Sequence, residues 1–114
     1  MSIVNLEENE TTIYETKGDW WAETLLGKGQ TPGVFEVTSK RFAFRTNTLF
    51  GKKQENAWEL NVSDIASVEK CNIGNGVLKI IPTGLRVTMQ DGTKYIVSVM
   101  KRDQLLAALE QVRQ

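Results

Sequence analysis

In Thr48-Leu49-Phe50-Gly51-Lys52-Lys53 two apolar residues stand just ahead of two lysines, an order suited to contact with an anionic surface. Phe50 would enter the interface while Lys52 and Lys53 sit over phosphate groups. Each lysine adds roughly 1 kcal/mol there, so two give weak attachment. The plainer reading is a loop whose Phe50 folds back onto the core. Trp20 and Trp21 are adjacent. In a strand they face opposite sides, so one is expected in the core and the other partly exposed. An exposed Trp serves a membrane interface or a protein hot spot; the plainer reading has both covering the edge of the fold. Lys28 is a cation in the same glycine-rich stretch. A further pair, Lys40 and Arg41, lies at the polar centre of Gly33-Val-Phe-Glu-Val-Thr-Ser-Lys-Arg-Phe-Ala-Phe-Arg45. These two are expected at a solvated hairpin tip, where charge discourages edge pairing.

Other chemistry has no residues to carry it. The 114-residue chain has no histidine and one cysteine, so the commonest general base and metal ligand are missing. A zinc site would rest on carboxylates, poor ligands for that ion. No nucleophile elbow, P-loop or dinucleotide fingerprint occurs, and Gly74-Asn75-Gly76 reads as a turn. Cys71 without a histidine is a weak nucleophile, and Asp64 reads as a corner residue bonded to backbone. No catalytic residue, cofactor or metal is expected. Fourteen basic residues balance fourteen acidic ones, which argues against a nucleic-acid partner.

The lone cysteine points to a reducing compartment. No apolar run approaches the roughly 18–20 residues of a membrane span. The opening Met-Ser-Ile-Val-Asn-Leu-Glu-Glu has no export signal, and neither Ser2 nor the final Gln-Val-Arg-Gln supports lipidation. The expected location is the cytoplasm, with peripheral attachment at a membrane the one extension.

The elements that must position these residues are mostly short strands. Residues 1–10, with Glu7, Glu8 and Glu10, read as a polar arm before one domain over 11–114. Thr11 to Lys17 reads as a strand, and Gly18 to Pro32 as a long connection with at most a helical turn. In the hairpin that follows, Phe35 and Phe44, and Val37 and Phe42, share a face only if each pair is cross-strand. That leaves Thr38 to Arg41 as a four-residue loop. Ala57 to Val62, Ile65 to Cys71 and Val77 to Ile81 are strand candidates, divided by turns at Asn72–Gly76 and Pro82–Gly84. In the last hairpin a three-residue loop, Gln90-Asp91-Gly92, pairs Val87 with Tyr95 and Leu85 with Val97. Gly92 then takes the left-handed position of a bulge. From Asp103 to Val112 the period changes: Leu105, Ala108, Leu109 and Val112 form one helical stripe.

Three phrases in this order resemble the GRAM domain, of the pleckstrin-homology-like (PH-like) superfold: "GVFEVTSKRFAF", "ELNVSDIASVEK", and "GLRVTMQDGTKYIVSV" followed by "KRDQLLAALEQ". The resemblance covers about residues 11 to 112. It implies a mainly β fold, a bent seven-stranded antiparallel barrel capped by one C-terminal helix. It also implies ligand loops between strands one and two, three and four, and in the last hairpin, away from Lys40 and Arg41. In PH domains that hold phosphoinositides a lysine ends the first strand, a role Lys17 fits. The second strand normally adds basic residues, whereas here it offers Glu36. Tight inositol-phosphate recognition is therefore not expected.

Two functions follow. One is a non-catalytic module docking on an anionic membrane surface or lipid headgroup through Lys17, Trp20, Trp21, Lys28, Phe50, Lys52 and Lys53. The other is a protein-interaction module, or self-association into a homo-oligomer, through the same aromatic residues.

Overall fold

The structure is a computed structural model that describes residues 6–24, 27–46, 58–73 and 81–113, with the side chains at 22–24, 27–30, 46, 73 and 81 left out. It is mainly β, as expected. Seven strands, β1 (Thr12–Thr24), β2 (Gly27–Thr38), β3 (Arg41–Thr46), β4 (Trp58–Asn61), β5 (Ile65–Ile73), β6 (Ile81–Met89) and β7 (Lys94–Ser98), precede helix α1 (Arg102–Arg113). All described pairings are antiparallel, in the order β4-β3-β2-β1-β7-β6-β5. The sheet bends but does not close: β4 and β5 remain its two edges, joined by a 3₁₀ turn over Val62–Asp64.

Both hairpin registers match the expectation. Phe35 opposes Phe44 and Val37 opposes Phe42. The turn between them is closed by Thr38, whose hydroxyl accepts the Arg41 and Lys40 N–H groups at 2.8 and 3.2 Å. In the last hairpin Val87 opposes Tyr95 and Leu85 opposes Val97, with Gly92 at φ 92°. Only glycine takes that angle without a Cβ clash. Burying one face of each strand decides these registers, because a one-residue slip would turn every core side chain to water.

Three expectations are corrected. Gly18 to Pro32 is not a connection: β1 and β2 run on through it, paired from Gly18↔Gly33 out to Thr24↔Gly27. The glycines here mark close packing rather than a loop. A Cβ on Gly18 would lie 2.5 Å from the Ser98 carbonyl oxygen, and one on Gly33 would strike the Arg45 carbonyl and the Phe44 ring. Pro82–Gly84 is likewise strand, not turn. The β5–β6 ladder shifts between Cys71 and Ile73, and such an irregularity tolerates a proline that has no N–H to give. Strand β5 also runs to Ile73, two residues past its expected end. The strand and turn expected over 74–80 lie outside the described residues.

The core is built from Phe35, Val37, Phe42, Phe44, Leu85, Val87 and Val97, each fully buried. Trp58 sits among Phe42, Phe44, Trp20 and Tyr95 with ring centres 5.0–6.0 Å apart. Helix α1 covers one end with Leu105, Ala108 and Leu109, the stripe its spacing predicts. It is tied down at both termini. Arg102 Nη1 donates to the Cys71 carbonyl at 3.3 Å and Arg113 Nη2 to the Ala66 carbonyl at 2.9 Å, both on β5.

Candidate docking site

Strand β1 is paired with β7 at Asp19↔Ser98 and Trp20↔Val97, and β2 with β3 as far as Gly33↔Thr46. Beyond those points β1 and β2 pair only with each other, from Trp21↔Gln30 to Thr24↔Gly27. The result is a two-stranded ribbon with no third strand among the described residues. Its base stands seven residues along β1 from Tyr14, whose hydroxyl meets Gln104 of α1 at 3.1 Å. At the rise of an extended chain that is about 23 Å from the helix-covered end.

The two tryptophans at the base divide as their alternation requires. Trp20 turns inward, its ring edge-on to Phe44 at 5.8 Å and to Trp58 at 6.0 Å. Trp21 is half-buried, and its indole N–H, like that of Trp58, is buried without a hydrogen-bond partner. Lys17 stands exposed on β1 with no ion-pair partner among the described residues. Lys28 lies opposite Glu23 in the ribbon ladder. Phe50, Lys52 and Lys53 lie outside the described residues. The chain segment that bears them leaves β3 at Thr46, opposite Gly33 and therefore beside the ribbon base.

Arg41 belongs to a different construction at the opposite end. Its guanidinium holds the Glu10 carboxylate at two points, Nε to Oε2 at 2.9 Å and Nη2 to Oε1 at 2.6 Å. Its Nη1 holds Glu59 Oε1 at 2.6 Å. The Thr38 hydroxyl adds a third donor to Glu10, at 2.5 Å. Arg41 hydrogen bonds, partly opposed by burial, bring the Glu10 carboxyl down to about 2, and the same contact raises the Arg41 pKa. Lys40 pairs with Glu7 at 3.3 Å. The hairpin tip thus uses its cations to pin residues 7–10 against the domain. Beside it lies a cleft of about 440 Å³ lined by Lys40, Arg113, Ser39 and Ser63. Both of its cations are already engaged, Arg113 with Glu110 at 3.3 Å and with the Ala66 carbonyl.

One further concavity escaped the sequence reading. Where the sheet fails to close, a second cleft of about 440 Å³ separates β4 from the β6–β7 hairpin. Glu59, Asp64 and Asp91 line it above Leu60, Met89 and Tyr95, and among the described residues no Lys or Arg does. The Thr93 N–H, 2.9 Å from Asp91 Oδ1, holds that carboxyl below its ordinary value. The sequence carried Asp64 and Asp91 only as corner and turn residues. Nothing in their spacing says that the bend of the sheet brings them together. Among the described residues no cluster of acidic or cysteine side chains is arranged to hold a metal, and no helix is long and apolar enough to cross a membrane.

No family model matches the chain, and no curated protein matches its sequence. Solved structures do resemble it. The C-terminal domain of an unknown protein from Leishmania infantum aligns at a TM-score of 0.72 and 14% identity, over 93% of this chain and 86% of that one. The hSac2 domain from human phosphoinositide phosphatase Sac2 aligns at 0.66 and 12%, over 94% and 70%. The linker-DH/PH domains of p115-RhoGEF align at 0.63 and 5%, over 91% of this chain and 29% of that one. The fold is therefore PH-like, and at these identities the likeness shows the fold alone.

Proposed function

We propose that this chain is a non-catalytic binding module that docks on an anionic membrane surface by its ribbon end. Trp21, Lys28, Phe50, Lys52 and Lys53 are the contacts and Lys17 flanks them. Trp20 anchors the ribbon to the core rather than touching the surface. The observation that carries this reading is the ribbon itself, a paired extension with no third strand among the described residues, next to the point where the Phe50–Lys53 segment departs. A two-stranded ribbon alone is marginal in water and gains by lying against something. The PH-like neighbours include a DH/PH protein and a domain of a phosphoinositide phosphatase, which fits a membrane-facing module. With no net charge on the whole chain, attraction is local and weak, and it is screened within about 8 Å at physiological salt.

Co-sedimentation of the full chain with phosphatidylserine-containing and neutral phosphatidylcholine vesicles tests this. Binding is expected only to the anionic vesicles at low salt, weakened by physiological salt and by Lys52→Ala with Lys53→Ala. Equal binding to both vesicles, or none at either salt, would sink it. A second reading, a protein-interaction module with no lipid ligand, is favoured by one observation: the β4 edge, which has no partner strand among the described residues and borders an acidic cleft.

A further inference from the structure

We infer that the slot between the β4 edge and the β6–β7 hairpin receives an extended basic segment of another protein, added to the sheet as a further strand. The inference rests on the protein-binding reading and is independent of membrane docking. Three consecutive residues of β4, Glu59, Leu60 and Asn61, all line the cleft. Strand side chains alternate between faces, so three in a row line one cavity only where it runs along the strand's edge. β4 is the last strand of the sheet, and its outer edge has no partner strand among the described residues. Such an edge presents N–H and C=O groups in the spacing that an incoming strand completes.

The two edges are treated differently. At β5 the helix lies alongside, and Arg102 and Arg113 donate to the Cys71 and Ala66 carbonyls. At β4 the facing wall is the hairpin tip, tied to the 3₁₀ turn at the end of the slot by a backbone bond from the Gln90 N–H to the Asp64 carbonyl at 2.8 Å.

Charge selects the occupant. Glu59, Asp64 and Asp91 rim the slot, and the one cation paired with Glu59 among the described residues, Arg41, is shared with Glu10. An anionic headgroup would meet like charge. So would a second copy of this chain, whose own Glu59 and Asp64 would come to the same edge. The carboxylates do not form a metal cluster. An extended segment with alternating character fits both requirements: Arg or Lys toward the rim, apolar side chains toward Leu60 and Tyr95.

The test is an NMR titration of the full chain with an acetylated, amidated hexapeptide of alternating valine and arginine. Its two N-methylated forms, each blocking one set of alternate amides, are run beside it, with a valine–glutamate peptide as control. Amide shifts are expected at Glu59–Asn61 and Gln90–Thr93 with the arginine peptide and not with the glutamate one. One N-methylated form should bind and the other not, since only one set of amides faces the edge. Asp64→Asn with Asp91→Asn should weaken binding about fivefold to tenfold, the yield of two exposed charge pairs. These changes keep the turn acceptors, and an unchanged spectrum elsewhere reports an intact fold. Equal binding by both N-methylated forms, equal binding by the glutamate peptide, or shifts confined to other surfaces overturns the inference. Shifts on another surface would still leave the protein-binding reading standing.

Discussion

The helix-covered end and the ribbon end are built from the same two strands and solve opposite problems. At the helix end several polar side chains are tied. Arg41 clamps Glu10 and Glu59, Thr38 closes its own turn, Tyr14 meets Gln104, and two arginines secure α1 to β5. At the ribbon end β1 and β2 outrun β7 and β3, and a half-buried Trp21 keeps an unpaired N–H; midway along β1 an exposed Lys17 has no ion pair among the described residues. Side-chain ties cluster at one end, which is the separation the docking proposal requires. A module that must bind without unfolding gains from that separation.

Four changes probe the contrast, in falling order of effect. Leu109→Ala empties a fully buried helix position and should cost about 3 kcal/mol, read as a lowered denaturation midpoint. Vesicle binding by the remaining folded protein should be unaltered; if it falls with stability, the two ends are not separate. Arg41→Ala strands the buried Glu10 carboxylate and should cost about 3 kcal/mol, measured by urea unfolding at neutral pH. A change below about 0.5 kcal/mol would show that the clamp is a surface pair.

The third follows from the titration of Glu10, whose folded value of about 2 lies below its ordinary 4.5. The unfolded chain takes up the proton first as pH falls. The clamp's contribution is therefore complete above pH 4.5 and lost between there and about 2. Unfolding midpoints across that window should fall less steeply in Glu10→Gln than in the parent. Identical slopes would remove Glu10 from the account. Smallest of all, Lys17→Ala should shift stability by less than about 0.5 kcal/mol, because the side chain is exposed and has no ion pair among the described residues. It should still reduce retention on anionic vesicles at low salt.

Much of the fold was legible because burial dictates it. Alternation in Phe35–Val37 and Phe42–Phe44 has one register that keeps four side chains dry, and the Leu105–Val112 stripe has one face to bury. The ribbon was hidden for the converse reason. Gly18, Gly27, Gly29, Pro32 and Gly33 look like loop composition, whereas Gly18 and Gly33 are required by backbones packed too closely for a Cβ. Pro82 and Gly84 misled in the same way. At the candidate sites, the fate of Arg41 was half readable: a hairpin tip was expected, but its partner Glu10 lies 31 residues away in a stretch read as a loose arm. The acidic slot was not readable, since it unites β4, the 3₁₀ turn and the last hairpin only through the bend of the sheet.

The most direct test of the two-ended account is backbone hydrogen exchange of the full chain with and without phosphatidylserine-containing vesicles at low salt. Amides of residues 19–24 and 27–31 should slow when vesicles are present, while those of α1 and the Thr38–Arg41 turn keep their rates. Slowing at α1, or no slowing in the ribbon while the protein sediments with the vesicles, would contradict it.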